Sequence, residues 1–191
     1  MNLDPRGYGV CRILYAGSRK ATGEPLTMHA AQTLVDAVKP GDLVYILTGF
    51  VLLPHKVPEM DGMVSSMLLA RALVLAFGAK PIIVCPEDSV QAVKNCAAVV
   101  GLHIYEDIAD VLELPMSMGV QRFTKDVRHA EDEADALLAQ GMPAAVISIE
   151  APGANDVGVY HNAGGLDVSA LEAKSVALWE KLRALGVPSV A

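Results

Sequence analysis

Aromatic and basic residues are scarce in this chain of 191 residues, and both shortages narrow its possible functions. Phenylalanine, tyrosine and tryptophan make up only 5% of the sequence, so a core has to be built from the aliphatic residues and methionine of a 52% hydrophobic composition. The 15 Lys and Arg residues are outnumbered by 22 Asp and Glu residues, giving a formal net charge of -7. Because a clustered basic face is the usual footprint of nucleic-acid binding, we expect no nucleic-acid partner.

Cysteines and long apolar runs are also few. Cys11, Cys85 and Cys96 are widely spaced and match no zinc-binding pattern, which favours free thiols in a reducing compartment. The first residues lack the charged and apolar regions of a signal peptide, so we expect a cytoplasmic protein. The most apolar segment, residues 63–77, is shorter than the about 20 residues that span a bilayer. It predicts a buried helix or a subunit interface, no membrane partner and a homo-oligomer.

Short apolar runs alternate with helical patterns from residue 43 onwards, which predicts an α/β protein with a three-layer, mostly parallel, doubly wound sheet and helices on both faces. The length fits a single domain over residues 1–191. Residues 1–26 are interpreted as an N-terminal arm, in which only Val10 to Tyr15 resembles a short strand. Residues 115–125 are ambiguous, and Ser169 is expected to cap a helix from Ala170 to Leu185. The predicted strands are Leu43–Leu47, Pro81–Cys85, Leu102–Tyr105, Ala144–Ile149 and a last one opening at Val187.

Two long polar connections each follow a predicted strand directly, over residues 48–62 and 150–168. Connections of about 4 to 6 residues are usual in compact domains, and longer ones are commonly functional. Ligands bind at the carboxyl ends of the strands in open parallel sheets, where the strand order reverses. We therefore expect the acidic side chains of the two connections to converge there; they are Glu59, Asp61, Glu150, Asp156 and Asp167.

Several carboxylates around one cleft repel each other unless a cation or a shared proton offsets the repulsion. Oxygen ligands suit a hard divalent ion, so the pattern predicts Mg²⁺, Mn²⁺ or Ca²⁺. The structural alternative is that Asp156 and Asp167 serve as turn and capping residues, for which Asn155-Asp156 and the spacing of Asp167 from Ser169 are suited. His161 is the only histidine of the second connection and is either an acid/base group or a surface residue.

The two connections resemble the signature motifs of the D-glutamate cyclase family. One motif begins at Gly49-Phe50 and continues through residues 58–62 into the apolar segment 69–73, although Met60 stands where the family has Thr. The later acidic, glycine-rich motif of the family is missing from the sequence, which ends at Ala191, so the C-terminus is expected to be incomplete or naturally short. The matching residues of the other motif are Glu150, Pro152, Gly153, Asp156, Gly158, Tyr160, Asn162, Gly165, Asp167 and Ser169.

This resemblance implies a hydro-lyase that cyclises D-glutamate to 5-oxo-D-proline with loss of water, with an amino-acid-like carboxylate as substrate. It suggests Glu59, Asp61, Glu150 and His161 as catalytic groups, and Asp61 and Glu150 as ligands of a divalent metal. The residues expected to bind substrate are Gly62, Gly153, Asp156, Tyr160 and Asn162. Two alternatives stay open: a metal-dependent lyase or hydrolase acting on another small carboxylate or amide, and a non-catalytic subunit that binds a small molecule.

Overall fold

The computed structural model describes residues 9–191, which divide into two compact units at the Ala37–Val38 boundary. The unit that ends at Ala37 contains helices α1 and α2, and the unit that begins at Val38 contains the sheet and the other helices. The helices are α1 Val10–Thr22, α2 Leu26–Ala37, α3 Met60–Phe77, α4 Glu87–Val99, α5 Ile108–Glu113, α6 Ala130–Gln140 and α7 Val176–Ala184. The strands are β1 Leu43–Leu47, β2 Val51–Leu52, β3 Val57–Pro58, β4 Lys80–Cys85, β5 His103–Tyr105, β6 Ser117–Arg122, β7 Ala145–Ser148 and β8 Ser189–Val190.

Six strands form one parallel sheet in the order β5-β6-β4-β1-β7-β8, while β2 and β3 form a separate antiparallel hairpin. Successive residues of a strand face opposite sides of a sheet. On one side, Leu43, Tyr45 and Leu47 of β1 belong to a core that also contains residues of α5, α6 and α7. Val44 and Ile46 are buried as well, and α3 and α4 pack against each other and against β4. The predicted three-layer α/β architecture is confirmed.

The N-terminal prediction needs correction where the structure describes it. Residues Val10 to Tyr15 do not form a strand but the first part of α1. Gly9 and Gly23 flank this helix with φ angles of 73° and 78°, a conformation that glycine adopts without steric cost. The glycines that suggested an irregular arm therefore mark the ends of a helix. Residues 1–8 of the predicted arm lie outside the described residues.

Two further segments differ from the sequence-based expectation. The ambiguous stretch 115–125 contains β6, an inner strand of the sheet between β5 and β4. The helix predicted from Ala170 begins only at Val176. In the segment before it, the backbone N–H of Lys174 donates to Thr124 O at 2.8 Å, so the chain bonds to a neighbouring loop rather than continuing a helical ladder.

Helix α3 is long and apolar enough to cross a membrane by length and composition, a test that core helices of soluble proteins also pass. The sequence predicts that it is buried, but the structure buries only one face of it. Met63, Met67 and Leu73 are almost fully buried, whereas Val64 and Leu68 are exposed. The N-terminus of α3 lies at the carboxyl edge of the sheet, because Gly62 in its first turn packs against Glu150, which follows β7.

Candidate functional site

The strand order reverses at β1, which lies between β4 and β7. The chain first moves from β1 to β4 on one side and later returns to pair β7 on the other side, in register from Val44↔Ala145 to Leu47↔Ser148. The carboxyl ends of β1 and β7 are therefore neighbours. This is the crevice in which open α/β sheets bind ligands, and both long polar connections leave from it.

Backbone hydrogen bonds join the two connections. The Phe50 N–H donates to Glu150 O at 2.8 Å, and the Glu59 N–H donates to Phe50 O at 2.8 Å. The hairpin of β2 and β3 lies between Phe50 and Glu59 in the chain and brings Glu59 back to Phe50. Phe50 in turn is bonded to Glu150. Three residues that are distant in sequence thus share one hydrogen-bonded segment at the strand ends.

Gly62 brings the start of α3 against Glu150. A Cβ atom placed on Gly62 would lie 2.5 Å from the Glu150 Cβ and 3.2 Å from Thr48 Oγ1, so only glycine allows this approach. The preceding residue, Asp61, lies in the first turn of α3, where its Oδ1 accepts a hydrogen bond from the Gly62 N–H at 2.8 Å. The structure therefore brings the Asp61 and Glu150 segments to the same place.

Glu150 has a strained backbone. Its φ angle is 46°, in the left-handed region that residues with a Cβ rarely adopt. Such conformations cost about 1 to 3 kcal/mol and cluster at functional sites. The side chain is exposed, so packing of the Glu150 side chain into the core does not account for the strained backbone.

Two asparagines organise the loop that follows Glu150. Asn155 Oδ1 accepts hydrogen bonds from Val157 N and Val159 N at 3.1 and 2.9 Å. Asn162 Oδ1 accepts from Gly164 N and Leu166 N at 2.9 and 3.0 Å. Asn162 is expected to orient substrate, but its side-chain oxygen stabilises a turn. The side-chain oxygen of Asn155 does the same in the turn that contains the exposed Asp156.

Asp167 and Ser169 close the same loop. Asp167 Oδ1 accepts from the Ser169 N–H at 2.8 Å, and Ser169 Oγ accepts from the Tyr160 N–H at 2.9 Å. The hydrogen bonds from Ser169 hold the pKa of Asp167 below its usual range. His161 is exposed and bridges to Asp167 through its backbone. The described contacts of His161 therefore lie within the loop and not at Glu150.

Tyr160 is buried beneath this loop and carries a cation on its ring. Lys174 Nζ lies 4.2 Å from the ring centroid and donates to the backbone oxygens of Ser169 and Glu172. Burial raises the pKa of Tyr160 and lowers that of Lys174. The Tyr160 ring thus anchors the loop through Lys174.

Two cavities flank the loop. One of about 200 Å³ lies at the ends of β1 and β7, beside Leu47 and Ser148, and Pro152, Gly153 and Trp179 contribute to its wall. The other, of about 510 Å³, is lined by Tyr160, Lys174 and residues of α6 and α7. Gly153 and Tyr160, both expected to bind substrate, therefore line different cavities.

The sequence matches the protein family described as D-glutamate cyclase-like, C-terminal, over residues 1–191. The chain belongs to this family. A search among curated proteins gave no match.

This D-glutamate cyclase-like chain contains a buried acidic residue that the sequence analysis did not identify. Glu172 is fully buried, and its Oε1 accepts a hydrogen bond from the Val51 N–H at 3.0 Å. Burial raises the pKa of its carboxyl group to about 7, against the opposing effects of this hydrogen bond and of the charges on Lys125 and Lys174. The prediction of a helix over this segment concealed the residue, and no local sequence signal distinguishes it from a helical glutamate.

Buried hydroxyl groups also lie at this edge of the D-glutamate cyclase-like domain. Thr48 Oγ1, Ser66 Oγ and Ser89 Oγ have no hydrogen-bond partner among residues 9–191. Thr48 faces Gly62, and Ser89 Oγ would lie 3.2 Å from a Cβ on Gly49. Of the three, Thr48 Oγ1 lies beside the contact between Gly62 and Glu150.

A preformed metal cage is not present in the part of this domain that the structure describes. No group of three or more His, Cys, Asp or Glu residues there is arranged to hold a metal ion. Asp61 and Glu150 would supply two carboxylates, so a hard divalent ion there would have to take its other oxygen ligands from water or substrate. Because the residues do not form a complete site, we assign no catalytic step to a metal.

Proposed function

We propose that this protein cyclises D-glutamate to 5-oxo-D-proline with release of water. The observation that carries the proposal is the contact between Gly62 and Glu150, which brings the acidic start of α3 beside the strained residue that follows β7. Membership of the D-glutamate cyclase-like family supports the same reaction class. The roles given below to individual residues are part of the proposal.

The reaction needs a group that moves protons. The substrate nitrogen starts as an ammonium and ends as a lactam N–H, so it forms a bond to the carbon of the γ-carboxylate (Cδ) and loses two protons. One oxygen of the γ-carboxylate leaves as water, which takes up two protons as its bond to carbon breaks. The protons lost by nitrogen therefore balance those gained by the leaving oxygen.

We assign this proton transfer to Glu150, with Glu59 and Asp61 as further acidic groups at the same edge. A carboxylate takes a proton from the ammonium and returns it as a carboxylic acid to the leaving oxygen, as in general acid–base catalysis. Their combined negative charge also favours the ammonium end of the substrate.

Incubation with D-glutamate and L-glutamate, followed by chiral separation of 5-oxoproline, tests the proposal. We expect product from the D-enantiomer, and loss of product for Glu150→Gln and for Asp61→Asn. The matched control is Glu113→Gln, because Glu113 is an exposed residue of α5 that lines neither cavity beside the loop. Binding of D-glutamate without turnover in the unmodified protein would rule out catalysis and favour a binding subunit.

Self-association remains a separate prediction. The exposed apolar side chains of α3 agree with the homo-oligomer expected from the sequence. Sedimentation analysis of the whole chain measures its state directly.

A further inference from the structure

Glu172 is a buried carboxyl group to which the proposed reaction assigns no role. It is 0% exposed, and only its Oε1 has a protein hydrogen-bond partner, the Val51 N–H at 3.0 Å. Its Oε2 is also buried and receives no hydrogen bond from the described part of the chain. Burying a carboxyl group in this way is unfavourable, so packing alone does not explain why a glutamate occupies this position.

The hydrogen bond from Val51 links two segments separated by more than a hundred residues. Val51 begins the β2–β3 hairpin, and the residue before it, Phe50, donates to the Glu150 backbone. Phe50 O in turn accepts the hydrogen bond from the Glu59 N–H. The Phe50–Val51 segment is thus held from one side by the backbone of Glu150 and from the other by the side chain of Glu172.

We propose that Glu172 is a positioning residue that fixes the Phe50–Val51 segment and, through it, sets Glu59 beside Glu150. The inference rests on the proposed function for its effect on turnover, but not for its effect on the hairpin. The residue acts through the backbone and does not touch the substrate.

Neighbouring groups hold Glu172 in place. Lys174 Nζ donates to the Glu172 backbone oxygen at 3.1 Å and lies over the Tyr160 ring. Lys125, which pairs with Asp88 at 2.6 Å, contributes a second positive charge that acts on the carboxyl group. The Glu172 side chain therefore acts as a fixed hydrogen-bond acceptor for the hairpin.

Two substitutions separate this role from general packing. Glu172→Gln keeps an oxygen acceptor of the same length, and Glu172→Met keeps a side chain of similar size without the acceptor. Amide hydrogen exchange measured without substrate should show Val51 and Glu59 exchanging about fivefold faster or more in Glu172→Met, as for the loss of one hydrogen bond. Glu172→Gln should stay within about threefold of the unmodified protein, and Ile46 and Val84 should be unchanged in both variants.

Turnover supplies the second readout. We expect Glu172→Met to lower kcat/KM for D-glutamate about tenfold or more, because misplacement of a catalytic group is costly, while Glu172→Gln restores most of it. Unchanged Val51 exchange in Glu172→Met, or an equal increase at Ile46 and Val84, would overturn the positioning role. If the unmodified protein does not turn over D-glutamate, the exchange experiment alone decides, and the proposed function fails separately.

Discussion

Gly62 lies so close to Glu150 that any side chain added to Gly62 would overlap that of Glu150. A Cβ on Gly62 would lie 2.5 Å from the Glu150 Cβ, well inside normal van der Waals contact. The N-terminus of α3 and the end of β7 are therefore fitted to each other at backbone level. Since both flank the crevice between β1 and β7, a disturbance at either residue should reach the candidate site.

Gly62→Ala tests this close approach. The added methyl group has to displace Glu150 or the start of α3, so we expect a loss of about 1 to 3 kcal/mol in the free energy of unfolding, as for other overpacked sites. We also expect turnover of D-glutamate to fall about tenfold or more, because Glu150 is moved. Chemical denaturation and initial-rate measurements on the same preparation give both quantities.

Gly17→Ala is the matched control for this substitution. Gly17 lies within α1, and a Cβ placed there would meet no atom within 4 Å. Alanine is favoured over glycine inside helices by up to about 1 kcal/mol, so this variant should be as stable as the unmodified protein or more so, with unchanged turnover. Equal behaviour of the two variants would contradict the special role of Gly62.

Glu150→Gly tests whether backbone strain is retained for function. Glycine adopts a φ angle of 46° readily, so we expect the free energy of unfolding to rise by up to about 1 kcal/mol while turnover is abolished. Lys56→Gly provides the stability control, because Lys56 is exposed and has a φ angle of 54°. A variant that is both destabilised and active would show that Glu150 is retained for packing instead.

The sequence predicts the sheet well because most of its strands are continuous apolar runs next to glycine or proline. Strand β1 is confirmed at both ends, and the neighbouring β4 differs only by including Lys80. The apolar pattern does not identify the inner strand β6, because Gly119 and Gln121 interrupt it. In the fold, the missing side chain of Gly119 makes room for Ile82, to which a Cβ would come within 2.5 Å.

Only the part of the site that follows from the positions of the strands can be predicted from the sequence. Two polar connections that follow buried strands are expected to share an edge, and the structure places residues 48–62 beside Glu150. The contribution of Glu172 depends instead on a long-range hydrogen bond to Val51. The segment around Glu172 is hydrogen-bonded to Thr124 and Val51 instead of forming helical hydrogen bonds. These are tertiary contacts, which the local sequence pattern does not predict.

Asn162→Asp separates substrate binding from loop structure. Aspartate keeps an oxygen that accepts the hydrogen bonds from Gly164 N and Leu166 N but lacks the side-chain N–H groups of asparagine. If Asn162 serves the turn, turnover should stay within about threefold, whereas Asn162→Ala should open the loop and increase its proteolysis. A large rise in KM for Asn162→Asp alone would show that the amide group binds substrate.

We predict that a divalent cation binds only together with the substrate. Asp61 and Glu150 offer two carboxylates, and Mg²⁺ commonly completes such a set with substrate oxygens and water. We therefore expect Mn²⁺ alone to leave Tm unchanged, and Mn²⁺ with D-glutamate to raise it more than D-glutamate does alone. A chelator that leaves both the thermal shift and turnover intact would refute the cation requirement.

The raised pKa of Glu172 predicts a specific pH dependence of stability. Its carboxyl pKa rises from 4.5 in an unfolded chain to about 7 in the fold, because burial disfavours the charged form. Between these values the folded protein binds more protons than the unfolded chain, so stability must decrease as the pH rises. The contribution is complete below about pH 4.5 and is lost as the pH passes through 7, with a total on the order of 3 kcal/mol.

Glu172→Gln removes this titration and keeps the acceptor for Val51. Urea unfolding at pH 5, 7 and 9 should show the variant gaining stability relative to the unmodified protein as the pH rises, with most of the gain between pH 5 and 7 and little more by pH 9. Lys125, Lys174 and Tyr160, the groups that interact electrostatically with Glu172, are present in both proteins, so their direct contributions largely cancel in the difference. Parallel stability curves would mean that Glu172 does not titrate in this range, and its carboxyl group would then have to be stabilised as an ion in the fold.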